Sequence, residues 1–273
     1  VPQPIPIDDP DDPRVAAYRD IKERDLVGRQ GLFIAEGETV LRAFVRDAPR
    51  RIQSLLIDGK RADKLGEVFT VLPEDVPVYV VGQAVLDAIA GFHLHRGVLA
   101  VGRKPEPLAA EALLARVAQK VADRAVVLVL MGIANHDNLG GIFRNAAAFG
   151  VEGVILDSDC CDPFYRKAIR VSIGATMTVP TAWLAPGEDV IALLERQGFQ
   201  ALALSPAADQ TLARLEPPAR AAVLLGAEGP GLSAAVMARA KGVGIPMANG
   251  FDSLNVATTS GIVLHHLRFG GRG

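Results

Sequence analysis

Seven consecutive residues, Ala125-Val-Val-Leu-Val-Leu-Met131, carry no charged or hydrogen-bonding side chain. A strand with one face in water alternates apolar and polar residues, whereas a run that is apolar at every position suits a strand covered on both faces. Such strands occur in parallel sheets flanked by helices, so this run narrows the choice of fold. Shorter runs of the same kind recur at Gly153-Val-Ile-Leu156, Met177-Thr-Val179, Gln200-Ala-Leu-Ala-Leu204 and Ala221-Ala-Val-Leu-Leu225. Helical spacing separates them at Leu139–Phe149, Val190–Gln197 and Ala234–Ala240. The alternation predicts an α/β domain with a mostly parallel sheet over residues 123–273.

The preceding part of the chain alternates on a smaller scale. Strand-like segments at Gly31–Gly37, Ser54–Ile57, Val78–Val81 and Gly97–Val101 are interleaved with helical ones at Glu38–Val45, Ala62–Phe69 and Ala84–Ile89. A thinner helical pattern starts at Val15. This predicts a small α/β domain over residues 14–103. Lys104-Pro-Glu-Pro107 breaks both patterns, and a helix follows from about Ala109 to Val121, so residues 104–122 read as linker and helix. Residues 1–13 hold Pro2, Pro4 and Pro6, then Asp8, Asp9, Asp11 and Asp12, and are expected to form a disordered acidic tail.

Composition excludes several classes. A hydrophobic content of 49% with 22% charged residues is that of a soluble globular protein. No apolar run approaches the ~20 residues that span a bilayer, and no basic segment precedes an apolar one at the N-terminus. A cytoplasmic protein without membrane association is expected. The two cysteines, Cys160 and Cys161, are adjacent and lack zinc-ligand spacing, which predicts free thiols and no metal. The net charge of −2 argues against a broad nucleic-acid-binding face. Residues 14–104, however, carry fifteen Lys and Arg against twelve Asp and Glu, which leaves room for a local basic patch.

In parallel α/β sheets, ligands collect beyond the carboxyl ends of the strands. Three polar, glycine-bearing stretches follow strand-like runs there. In the first, Asn138 stands where a helix N-cap belongs and Arg144 lies about one and a half turns on, its fork suited to phosphate or carboxylate. The second places Glu228 among Gly226, Gly229 and Gly231, which permit close backbone approach or positive φ. Neither stretch gives a phosphate-binding P-loop or a dinucleotide GxGxxG fingerprint. The third, Ile245-Pro-Met-Ala-Asn-Gly-Phe-Asp-Ser-Leu-Asn-Val-Ala257, is too apolar for an ordinary loop and leads into a helix, with Ser253 as the expected N-cap. Elsewhere His93, His95 and Arg96 form a short cluster suited to RNA phosphates or bases.

In their order and spacing, Asn138-Leu-Gly-Gly-Ile-Phe-Arg-Asn-Ala146, Gly226-Ala-Glu-Gly-Pro-Gly-Leu232 and Ile245–Ala257 resemble the three motifs of the SpoU/TrmH family of RNA ribose 2′-O-methyltransferases. The likeness extends to Ser172-Ile-Gly-Ala175. In the first domain, Phe33-Ile-Ala-Glu-Gly37 and Phe92-His-Leu-His-Arg-Gly-Val-Leu-Ala100 look like the L30e-like substrate-binding domain that precedes many members. The resemblance implies a C-terminal α/β domain with a trefoil knot, acting as a homodimer. It implies S-adenosylmethionine as methyl donor, held by Leu204, Gly226, Gly231, Ile245, Met247 and Leu254. It places Arg144 at the family's essential arginine, which also contacts RNA, and Asn138, Glu228, Ser253 and Asn255 at its remaining polar positions. Ribosomal RNA is the first expected substrate and transfer RNA the second. The competing readings are a knotted RNA-binding module without catalysis, and a knotted methyltransferase acting on a base.

Overall fold

A computed structural model describes every residue except 20–22, 92, 93, 95, 96, 121–123, 249–251 and 271–273. The RNA-contact candidates His93, His95 and Arg96 lie outside the described residues. The chain divides into two compact units: residues 1–106 with 163–178, and residues 107–162 with 179–273.

The first unit opens with strand β1 (Pro4–Pro6), helix α1 (Glu23–Arg29), β2 (Leu32–Glu36), α2 (Glu38–Asp47) and β3 (Ile52–Asp58). It continues through short helices α3 (Gly59–Ala62) and α4 (Gly66–Val71), then β4 (Val78–Val81), α5 (Gln83–Ala90) and β5 (Val98–Arg103). Its sheet has the order β1-β4-β3-β5-β2. The segment read as a disordered tail contains β1, which pairs in parallel with β4, and Ile7 is buried beyond it. Prolines are tolerated there because β1 is an edge strand, where the missing N–H breaks no ladder on the open side. The helix expected from Val15 is instead a 3₁₀ turn over Pro13–Tyr18, capped by Asp12, followed by α1.

The second unit begins with α6 (Ala110–Lys120), β6 (Ala125–Met131), α7 (His136–Ala148) and β7 (Gly153–Leu156). The chain then returns to the first unit for α8 (Arg166–Val171) and α9 (Ala175–Thr178). The second unit resumes with β8 (Thr181–Trp183), α10 (Val190–Arg196), β9 (Gln200–Leu204), β10 (Arg220–Gly226), α11 (Ala234–Arg239), β11 (Lys241–Val243) and α12 (Val256–Phe269). Its six strands run in the order β11-β9-β10-β6-β7-β8 and are all parallel. Residues 125–130 of β6 are fully enclosed, as a strand covered on both faces requires.

Two local expectations change. Met177 lies inside helix α9, which ends at Thr178, rather than starting a strand; the edge strand begins after Pro180. A three-residue apolar run has no period to separate helix from strand, and here Ser172 Oγ accepts the N–H of Thr176 and favours the helical turn. The excursion 163–178, read as part of the second domain, packs into the core of the first unit through Phe164, Ile169 and Met177. Phe164 stacks on Phe33 at 5.1 Å, and Arg166 pairs with the buried Glu36. Arg51 lies over the rings of Phe33, Phe44 and Phe164 and donates to the carbonyls of Arg103 and Met177. Phe164→Ala is expected to remove about 3–5 kcal/mol of this unit's stability, read as a lower urea midpoint. An unchanged midpoint would show that the segment rests on the unit without supporting it.

Candidate active site

The second unit brings the ends of the parallel strands β9, β10 and β11 to one edge of its sheet, where the loops that follow them and the first turn of α12 line a cleft. Helix α7 starts just beyond β6. Its N-cap is Asn135, whose Oδ1 accepts the N–H groups of Asp137 and Asn138 at 2.8 and 3.3 Å. This corrects the placement of Asn138 as the cap: it sits inside the first turn, 7% exposed. Freed from capping, the Asn138 amide bridges two loops. Its Nδ2 donates to Glu228 Oε1, and its Oδ1 accepts from Asn255 Nδ2 at 2.8 Å.

Asn255 in turn is the N-cap of α12, its Oδ1 accepting from Ala257 and Thr258. Ser253, the expected cap, lies two residues earlier and lines the cleft. An Asn in this place serves both partners at once, because its oxygen caps the helix while its amide nitrogen reaches Asn138.

The glycine loop after β10 closes the other side. Gly231 N–H bonds to the carbonyl of Ala227, which folds residues 227–231 back over Gly226. A Cβ on Gly226 would lie 2.3 Å from the carbonyl carbon of Gly231, so the close approach itself requires glycine. The resulting cleft is about 410 Å³. Leu204, Gly226, Gly231, Ile245, Met247 and Leu254 all line it, together with Glu228, Ser253 and Asn255. Thr259 also lines it and was missed; it stands four residues after Asn255, a spacing that places both on one face of a helix.

Arg144 is not brought into this cleft. Six residues beyond Asn138, it is turned about 120° around the helix axis at ~100° per residue. Its side chain is exposed and has no hydrogen-bonding or ionic partner among the described residues. A free cation on the surface is open to an anionic ligand from outside the unit.

Cys160 and Cys161 are free thiols, and both are held neutral. Burial pushes Cys160 up to about 12, helped by the nearby Asp157, and Cys161 up to about 11. Thiolate is the reactive form. At pH 8 alkylation by iodoacetamide is therefore expected to be at least ~10-fold slower in the native protein than in urea; equal rates would mean the thiols are exposed. Among the described residues, no group of three or more His, Cys, Asp or Glu side chains stands together as a metal site, and no helix is long and apolar enough to cross a membrane.

Comparison with known proteins places these features. Residues 125–265 match the SpoU rRNA Methylase family. An uncharacterized tRNA/rRNA methyltransferase of Mycobacterium tuberculosis is 38% identical over 268 residues, covering 94% of this chain and 89% of that protein. The 23S rRNA (guanosine-2′-O-)-methyltransferase of Salmonella typhimurium is 29% identical, covering 84% of this chain and 94% of its own. In fold, the chain resembles the crystal structure of an AdoMet-bound rRNA methyltransferase from Sinorhizobium meliloti, with a TM-score of 0.80, 22% identity and 97% of each chain covered. With the glycine loop after β10 and Ser253–Asn255 lining one cleft, and Asn138 bonded to both, the chain belongs to the SpoU rRNA methylase family.

Proposed function

We propose that this RNA methyltransferase uses S-adenosylmethionine to methylate a ribose 2′-OH of structured RNA in the cytoplasm, with ribosomal RNA the first candidate and transfer RNA the second. The observation that carries the reading is the Glu228–Asn138–Asn255 chain of hydrogen bonds beside a cleft lined by Leu204, Gly226, Ile245 and Leu254. A name carried by a relative at 29% identity, a guanosine-2′-O-methyltransferase, supports the ribose over the base.

The cleft fits the donor. Its volume falls within the ~300–1,000 Å³ of small-molecule sites. Its wall offers apolar surface from Leu204, Ile245, Met247 and Leu254, and side-chain-free backbone at Gly226 and Gly231 on which a planar heterocycle can lie. When bound, S-adenosylmethionine supplies a methyl group on a sulfonium, which takes up the C–S electron pair as the new O–C bond forms.

The chain's own residues have the remaining tasks. Arg144 is assigned to a phosphate beside the target ribose, where its fork fixes the nucleotide and stabilises charge developing on the 2′-oxygen. A guanidinium stays protonated at neutral pH and is no base, so the 2′-OH proton passes to an acceptor other than Arg144, such as a substrate phosphate. Asn138 and Asn255 hold the motif loops in register, Glu228 orients Asn138, and Ser253 faces the substrate side.

The C-terminal part of the second unit is proposed to be the family's trefoil knot. Supporting this, Gly244 is clasped by the loop after β9: its N–H bonds to the carbonyl of Gln210 and its carbonyl accepts from Leu212. A homodimer is proposed as well. Ile262 and Phe269 are exposed apolar side chains on α12, and Arg144 is exposed and does not line its own cleft, as an arginine serving the partner's site would not. The first unit is proposed as an L30e-like RNA-binding element.

The test is methyl transfer from labelled S-adenosylmethionine to total RNA, followed by nuclease digestion. Label in 2′-O-methylnucleosides is the expected result. Label in base-methylated nucleosides would replace the ribose reading, and no transfer with intact cofactor binding would leave an RNA-binding module.

A further inference from the structure

Asn145 follows Arg144 on α7, and no role in the site described above accounts for its contacts. Its side-chain nitrogen donates to the carbonyl of Ala257 at 2.7 Å and to Ser260 Oγ at 2.9 Å. Ser260 is fully buried and donates back to the same Ala257 carbonyl at 2.7 Å. Both hydrogens of the Asn145 amide are thus committed to the first turns of α12.

The surrounding seam is built for close approach. A Cβ on Gly141 would lie 2.8 Å from the Ala257 methyl, and one on Gly261 would lie 3.2 Å from Asn145 Nδ2. Small residues bring the two helices together, and Asn145 then fixes where along the seam they meet.

The turn held in this way is also the wall of the cleft. Asn255, Val256 and Thr259 line it, and all belong to the cap and first turn of α12. Asn138 holds this turn at one point, through Asn255. The Arg268 contacts hold only the far end of α12, and one hydrogen bond leaves the first turn free to shift about it; the Asn145 contacts, nearly two turns further along α7, remove that freedom. We propose that Asn145 is a positioning residue that locks the first turn of α12 against α7, and so sets the shape of the donor-binding cleft. The proposal rests on reading that cleft as the S-adenosylmethionine site. Asparagine is required for it: aspartate would set a carboxylate against the Ala257 carbonyl, and serine or threonine has one donor and a shorter reach.

The test uses full-length Asn145→Ala, Asn145→Asp and Ser260→Ala, with Arg268→Ala as reference. Arg268 anchors the far end of α12 to Phe149 and Glu152, so its loss lowers stability without touching the cleft. Two readings are taken at a temperature where every variant is folded by circular dichroism: S-adenosylmethionine affinity by calorimetry, and amide hydrogen exchange across residues 256–260. Asn145→Ala and Asn145→Asp are expected to weaken binding at least 10-fold and to speed exchange in that turn. Arg268→Ala is expected to leave both unchanged while lowering Tm. Ser260→Ala is expected to weaken binding less, and its double variant with Asn145→Ala to be no worse than Asn145→Ala alone. Exchange at 256–260 that matches wild type in Asn145→Ala would overturn the proposal, as would affinity within twofold of wild type. If the wild-type protein itself binds no S-adenosylmethionine, the reading of the cleft falls, while the exchange measurement still decides whether Asn145 locks the turn.

Discussion

Arg144→Ala is expected to lower kcat for RNA methylation by about 100- to 1,000-fold, the usual loss when one preorganised donor to a developing negative charge is removed. Folding should be unaffected, because the side chain is exposed and makes no hydrogen bond or ion pair among the described residues. S-adenosylmethionine affinity should also be unaffected, because Arg144 is outside the cleft lining. Arg144→Lys should recover only part of the rate, since an ammonium keeps the charge but cannot make the bidentate contact with phosphate. Single-turnover methylation with saturating donor, alongside calorimetry and thermal melts, checks all three. A variant with wild-type turnover would remove Arg144 from the reaction. One with lost donor binding would instead place it at the cleft.

Gly226→Ala is expected to be the most damaging small substitution in the site. Its new methyl group would lie 2.3 Å from the carbonyl carbon of Gly231 and 2.4 Å from the nitrogen of Leu232. Both are backbone atoms, so no side-chain rotation relieves the clash, and the turn at 227–231 must move outward. That turn carries Glu228, and its displacement would break the bond to Asn138 and so weaken the hold on Asn255. Stability should fall by about 1–3 kcal/mol, as overpacking does elsewhere, and donor affinity at least ~100-fold, or about 2.7 kcal/mol. Urea unfolding and calorimetry separate the two effects. Affinity near wild type would mean that the donor does not depend on the 227–231 turn.

The parallel sheet was legible because its central strands are enclosed on both faces and therefore apolar at consecutive positions, as at Ala125–Leu130. Strand β11 was not, since Lys241-Gly-Val243 offers three residues with a glycine in the middle and no pattern to read. The polar residues of the site could be picked out, but their geometry could not. Asn135 and Asn138 are chemically equal candidates for one cap, and only the direction in which α7 leaves β6 decides between them. The contacts from Asn138 span 90 and 117 residues of sequence, so nothing local encodes them. The same holds for Asn145, which reads as an ordinary polar helix residue until α12 is set beside it.

The excursion at 163–178 has a consequence for the order in which the protein can be completed. Residues 1–106 leave the ribosome before residues 163–178, yet the apolar face around Phe33 and Phe44 is closed by Phe164, Ile169 and Met177. At about 5–20 residues per second, the 72 residues from 107 to 178 take roughly 4–14 s to synthesise. During that interval the first unit presents an open hydrophobic face, and it is finished only after the first strands and helices of the second have been made. The unit built on residues 1–106 is therefore not complete until residues 163–178 are made, and a nascent chain paused before Pro163 still exposes that face.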